Sequence, residues 1–265
     1  MGNQIRRCVF CNKELTCKQK SVEHIIPQWL LKELDIEKSV IEPTHMSSTD
    51  LSIVSQRVHT TDHLVSGNIC SECNNGWMSK LEDENKKLLC DLMSVKREVK
   101  DLSDNERLGL ARWTYKTALT LNSGTNYHKN IPSQHYHEFY SNSSTLPIGV
   151  VCLGQQHHEN EVFNWLQWPI WSVHRLNIDE IVDKEFKEKC YKISFQFKSL
   201  ILAVFYIGIK GFIPLIEKGI HLPLYPKSGR CVWYETNDFS WNDSIKAIYE
   251  FHIGIKAIEI NNKRR

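Results

Sequence analysis

The sequence lacks a long hydrophobic run, an internal repeat and a low-complexity tract. Its most apolar window, Leu200 to Ile209, holds ten residues between Lys198 and Lys210. A membrane-spanning helix needs about 20 such residues, and the β-branched and aromatic character of this window predicts a buried strand. No apolar stretch follows Arg6 and Arg7, so no signal peptide is expected and the chain is assigned to the cytoplasm. Charge of either sign is barely in excess: 33 Lys and Arg against 31 Asp and Glu, a formal net charge of +2. That excludes a uniformly basic nucleic-acid coat but not a local basic groove, because partners respond to the local field. No glycine-rich phosphate loop is present, which excludes the usual nucleotide hydrolases. Hydrophobic residues at 41% and charged residues at 24% exclude wholesale disorder.

Cysteine, by contrast, is abundant and unevenly placed. Of the nine, six lie at 8, 11, 17, 70, 73 and 90, while Cys152, Cys190 and Cys231 stand alone. An odd number in a chain of 265 residues points to free thiols or metal ligands in a reducing compartment. Cys8-Val-Phe-Cys11 and Cys70-Ser-Glu-Cys73 form two C-x-x-C pairs. A two-residue gap lets both thiolates of a pair face one ion, and two pairs complete the tetrahedral four-sulfur shell of structural zinc. Such a site is closed to water, so it holds the fold and any chemistry must lie elsewhere. The remaining five cysteines are read as small hydrophobes.

Between the pairs lies Ser21-Val-Glu-His-Ile-Ile-Pro-Gln-Trp-Leu30. Val22 to Ile25 is expected as a short strand end, with Pro27 in the first turn of a helix that buries Trp29, Leu30 and Leu34. On an extended segment Glu23 and His24 point to opposite faces, so one can ligate a metal while the other acts from a different direction. After the second pair, Asn74-Asn-Gly-Trp-Met-Ser-Lys-Leu-Glu82 opens a helix with Trp77, Leu81, Leu88 and Leu92 as its apolar stripe.

C-x-x-C, Glu-His-Ile-Ile-Pro and C-x-x-C-Asn together resemble the HNH endonuclease family in its zinc-knuckle form, over residues 8–82. The nearest pattern is the phage junction-resolving type, with Asp-His and Cys-Asn in these places. The resemblance implies a ββα-metal finger in which His24 is the general base for an attacking water. It also implies that Glu23 and Asn74 hold one divalent cation, Mg²⁺ or Mn²⁺ by the oxygen chemistry of the donors. Asn75 ranks below Asn74. The implied activity is hydrolysis of DNA to a 5′ phosphate and a 3′ hydroxyl, in restriction, phage defence or a mobile element. Two departures stand out. The family's middle Asn falls at Val65, with Asn68 the nearest candidate for a loop-fixing role, and residues 31–60 read as an insertion, helix first and then polar. His45, His59 and His63 in or after it are read as surface histidines.

The fold class is α+β: an N-terminal ββα-metal finger (1–100) with a four-cysteine zinc site, followed by a larger α+β domain (101–265). In the latter Ser103-Asp-Asn-Glu106 is a capping box, and Leu108, Ala111, Tyr115, Ala118 and Leu119 recur at helical spacing up to Leu121. Strands are expected at Ile148–Leu153, Phe163–Val173, Tyr191–Phe197 and Leu200–Ile209, with turns at Gly154, Pro169 and Gly211. Lys80, Lys86, Lys87, Lys96, Arg97 and Lys100 form either a solvated mixed-charge face or a phosphate-tracking one. Trp113, Trp165, Trp168 and Trp171 are read as packing residues in preference to base-stacking platforms. Two further readings compete with the nuclease: a non-catalytic zinc-ribbon adaptor for nucleic acid or protein, and a thiol redox protein using Cys8 and Cys11.

Overall fold

The computed structural model describes residues 6–16, 19–46, 52–125, 129–142, 144–168, 189–209, 212–217, 222–226, 232–234 and 253–257. The architecture is mixed α+β. The N-terminal elements are β1 (Glu23–His24), α1 (Gln28–Glu33), β2 (Val40–Ile41), β3 (Thr44–Met46), β4 (Ile53–Gln56), β5 (His59–Thr60) and β6 (Val65–Ser66). Strands β1 and β6 pair antiparallel, with Glu23 opposite Ser66 and His24 opposite Val65. Pro27 caps α1 from outside its first turn, and Leu30, Leu31 and Leu34 are buried.

The insertion between His24 and the second cysteine pair is a helix followed by paired strands, and residues 47–51 of its polar part lie outside the described residues. Strand β2 pairs with β5 and β3 with β4, both antiparallel, continuing one alignment from Val40↔Thr60 to His45↔Ser55. Val40, Ile53, Val54 and Val58 are exposed on it, so its apolar residues do not mark a buried face. His45, His59 and His63 lie on this ribbon or the turn after it; His59 and His63 are exposed.

Helix α2 (Ser71–Cys73) runs through a wider π turn (Asn74–Met78) into α3 (Ser79–Met93). Gly76 kinks this path with a non-helical ψ of −109°. As the sequence pattern predicts, Leu81, Leu88 and Leu92 are buried, joined by Leu89 and Met93. Helix α4 (Asp104–Gly124) starts at the expected capping box: the Ser103 hydroxyl accepts from the Glu106 N–H, and the Glu106 carboxylate accepts from the Ser103 N–H at 2.9 Å. It runs three residues past Leu121, and from Leu110 to Ser123 every residue except Arg112 is buried. A helix buried all round belongs in the middle of a fold. Thr114, Thr117 and Thr120 make this possible by donating back to the carbonyls of Leu110, Trp113 and Lys116.

Helix α5 (Ser133–Ser141) follows, then β7 (Val150–Trp168), β8 (Cys190–Ile207), β9 (Phe212–Glu217), β10 (Leu222–Tyr225), β11 (Val232–Tyr234) and β12 (Ile253–Ala257). The two expected strands at Ile148–Leu153 and Phe163 onward are one long strand, β7. Tyr191–Phe197 and Leu200–Ile209 likewise merge into β8. The irregularity between them is a register shift opposite Lys198, whose φ is +53°, and not a chain reversal. Gly154 is not a turn either: it pairs with Leu202 and Leu222, and a Cβ there would stand 3.1 Å from Val99. Pro169, Gly211 and residues 169–173 lie outside the described residues.

Strands order as β10-β7-β8 in one sheet and β11-β9-β12 in a second, where β11 runs parallel to β9. Helix α4 packs on the first sheet; Trp113 meets Phe197 edge-on at 5.9 Å, and the Cys152 thiol reaches the Ala111 carbonyl at 3.7 Å. One cluster of buried apolar residues extends from Cys8 to Leu224. No helix among the described residues is long and apolar enough to cross a membrane.

Candidate metal centre and active site

The first cysteine pair sits on a tight turn. The Cys8 N–H bonds to the Lys13 carbonyl at 2.8 Å, the Asn12 N–H returns to the Cys8 carbonyl at 3.0 Å, and Asn12 takes a left-handed φ of +61°. The second pair opens α2, where Cys70 is the N-cap and its sulfur accepts the Cys73 N–H at 3.4 Å. The Cys8 sulfur accepts the Cys70 N–H at the same distance, and the Val9 N–H meets the Asn68 carbonyl at 3.0 Å. Asn68 thus fixes the loop through its backbone.

All four sulfurs lie within 4.8 Å of one another, with Cys8 to Cys73 at 3.9 Å and Cys11 to Cys70 at 3.6 Å. Zn–S bonds of about 2.3 Å in a tetrahedron require sulfur separations of about 3.8 Å, so the cluster fits zinc. The neighbouring Cys73 thiol, against burial, draws the Cys8 thiol down to about 4, helped by backbone donors including Cys70. The same contact pushes Cys73 up. Cys90 is half-buried and Cys152 and Cys190 are buried, away from the cluster; Cys17 and Cys231 lie outside the described residues.

The knuckles are held from outside. Trp77 packs edge-on against Phe10 at 5.1 Å and against Phe139 of α5 at 5.6 Å, and His137 Nδ1 lies 2.8 Å from the Phe10 carbonyl oxygen. Lys13 of the first knuckle pairs with Glu72 of the second.

Glu23 and His24 face opposite ways, as alternation requires. Lys20 bridges Cys70 and Glu23 pairs with Ser66, one residue out of register with each other, so Ser21 lies on the short segment that leads into β1. The Asn74 amide donates to the Ser21 hydroxyl at 2.5 Å, which ties the start of the second-knuckle helix to the segment entering β1. With its nitrogen so committed, the Asn74 amide presents its oxygen as the remaining ligand atom. Asn75 is exposed.

Glu23 is only 6% exposed, and what it faces is a residue that sequence patterns did not single out. Lys116 of α4, fully buried, places Nζ 3.5 Å from Glu23 Oε1 and in contact with Glu82 Oε1 of α3. Burial pushes the Glu23 carboxyl up, opposed by Lys116 and reinforced by Glu82. Burial would lower Lys116, but Glu82 and Glu23 outweigh it and hold the ammonium charged. The available signal was one lysine inside a helix otherwise built to be buried, which demands a carboxylate partner.

His24 is partly exposed, and its Nε2 lies 3.3 Å from the Gln28 amide nitrogen.

The basic residues of α3 and its exit are largely neutralised: Lys80 pairs with Glu84, Lys87 with Asp91, Arg97 with Glu106 and Lys100 with Glu98. Lys86 lies over the Trp29 ring at 5.5 Å. Trp113 is a core residue and Trp165 stacks on Phe163; the side chain of Trp168 and all of Trp171 lie outside the described residues. The chain matches no family model, and neither curated proteins nor solved structures give a match.

Proposed function

We propose that this chain is a metal-dependent endonuclease of the HNH type that hydrolyses DNA phosphodiester bonds in the cytoplasm, with a structural zinc at Cys8, Cys11, Cys70 and Cys73. The observation that carries the reading is the grouping around one zinc-type cluster of a strand bearing Glu23 and His24 and a helix start bearing Asn74. A two-stranded antiparallel pair followed by the helix of the second knuckle has the order of a ββα-metal finger.

In this reading His24 takes a proton from the attacking water through a ring nitrogen, with Gln28 packed beside the ring. Glu23 and the oxygen of Asn74 hold a Mg²⁺ or Mn²⁺ ion, one carboxylate and one amide being a donor set that leaves most positions to water and phosphate oxygens. When bound, the ion supplies Lewis-acid stabilisation of charge on the phosphoryl group and the leaving 3′ oxygen. A role in restriction, phage defence or a mobile element is the setting this chemistry suits.

The second reading is a zinc-binding adaptor without catalysis, acting on nucleic acid or protein. It is favoured by one observation: Glu23 is buried and already paired with Lys116. Plasmid nicking with Mg²⁺ or Mn²⁺ separates the two. Zinc-loaded wild type is expected to nick, and His24→Ala, at unchanged zinc content, to lose about 100-fold or more of the rate. Intact plasmid in every metal, or equal cutting by His24→Ala, removes the nuclease reading.

A further inference from the structure

Three separate parts of the chain meet at one buried ammonium. Glu23 comes from β1, Glu82 from α3 and Lys116 from α4, and Lys116 is completely enclosed. Two carboxylates share one lysine, so the group carries a formal charge of −1. Glu82 is the more accessible carboxylate, its side chain 16% exposed. The Asn74 amide is bonded to Ser21, two residues before Glu23 in the chain.

A cation fixed this close to Glu23 acts on any second cation that Glu23 takes up. Charges a few ångströms apart in a poorly solvated site interact much more strongly than in water. Lys116 therefore has two effects with one charge. With no divalent ion present it balances two buried carboxylates, which would otherwise be costly to enclose. With an ion present it repels it, keeping binding weak and exchange fast.

We propose that Lys116 is the internal counter-ion that sets the divalent-cation affinity of the Glu23–Asn74 site. This rests on the reading of Glu23 and Asn74 as ion ligands given above. It makes α4 part of the site, although Lys116 lies 93 residues beyond Glu23.

The test compares full-length, zinc-loaded wild type with Lys116→Met, which keeps the length of the side chain and removes its charge. Mn²⁺ binding is read by calorimetry and by the electron paramagnetic resonance of free Mn²⁺, and thermal unfolding is followed with and without Mn²⁺. The variant is expected to bind Mn²⁺ at least tenfold more tightly, to melt below wild type without Mn²⁺, and to gain more in melting temperature when it is added. A lysine with only a structural role leaves the variant destabilised with no rescue by Mn²⁺. Affinity equal to or weaker than wild type, no binding by either protein, or equal Mn²⁺ responses overturn the proposal. Should Lys116→Met not fold, Glu82→Gln gives the opposite test: Lys116 is left to Glu23 alone, and Mn²⁺ binding is expected to weaken about tenfold. Unchanged affinity overturns the proposal there too. The affinity shifts are independent of cutting, so shifts as expected with no DNA nicking by any protein would end the nuclease reading and leave the counter-ion role standing.

Discussion

Ser66 on β6 and Ser123 near the end of α4 share a buried hydrogen bond, 3.0 Å between their hydroxyl oxygens. One residue on, Gly124 faces Ile25 and the Val65 carbonyl. The β1/β6 pair is two residues long on each strand, too short to be stable by itself. Its support is α4, through Lys116, Ser123 and Gly124 along one face. The strand that carries Glu23 and His24 is thus seated on a helix far away in sequence.

That seat leaves no room for a side chain at Gly124. A Cβ there would stand 2.9 Å from Ile25 Cδ1 and 3.2 Å from the Val65 carbonyl oxygen. The isoleucine methyl can turn aside, but the carbonyl is backbone of β6 and moves only with the strand that pairs with β1. Gly124→Val is expected to cost about 1–3 kcal/mol, the usual range for overpacking. It should also lower plasmid nicking more than tenfold at full zinc content. Urea denaturation checks the first and the nicking assay the second; a midpoint equal to wild type would show that the strand does not rest on α4.

Much of the four-cysteine centre was legible because its signals are local. C-x-x-C spacing fixes how two sulfurs point, the Ser103–Glu106 box marks a helix start, and Leu81, Leu88 and Leu92 show a stripe at helical period. The Lys116 contact was not legible, since a partner in the fold leaves no trace in spacing. Nor were the paired strands at 40–46 and 53–60, where Val40, Ile53 and Val54 are exposed and so break the rule that apolar alternation marks a core face. The merging of four expected strands into β7 and β8 has a related cause. Gly154 reads as a turn in sequence, whereas its lack of a Cβ serves the close approach of Val99 and Leu224.

Removal of the proposed zinc should be felt well beyond the four sulfurs. Cys8, Phe10, Ile69, Cys70 and Cys73 are buried together, and Phe10 and Trp77 join them to α5. Binding energy at a structural zinc is folding energy. Elemental analysis is expected to find one zinc per chain in wild type and almost none in Cys73→Ser. The variant, or wild type stripped by a strong chelator, should melt about 10 °C lower or more, a loss of several kcal/mol for a chain of this size. Full stability after chelation would remove the structural metal. A disulfide in the purified, unreduced protein in place of zinc would instead revive the redox reading of Cys8 and Cys11.

Acid should weaken the start of α4 through one carboxylate. Glu106 accepts from both Arg97 guanidinium nitrogens, at 2.6 and 3.2 Å, and from the Ser103 hydroxyl at 2.7 Å. Arg97 first and Ser103 second draw its carboxyl from an ordinary 4.5 down to about 2. Between those values the unfolded chain takes up a proton at this side chain and the folded chain does not, so stability falls as pH falls. The contribution is complete above about pH 4.5 and gone near pH 2. The side chain is a third exposed, so solvent screening limits the effect to the order of 1 kcal/mol. Urea denaturation of wild type and Glu106→Gln at a series of pH values measures it. Wild type should lead near neutrality and lose that lead across this window, while the zinc thiolates and other acid-sensitive groups cancel in the difference. A lead that stays constant down to pH 3, or grows, would show that the Arg97 and Ser103 contacts do not hold the charge of Glu106 in solution.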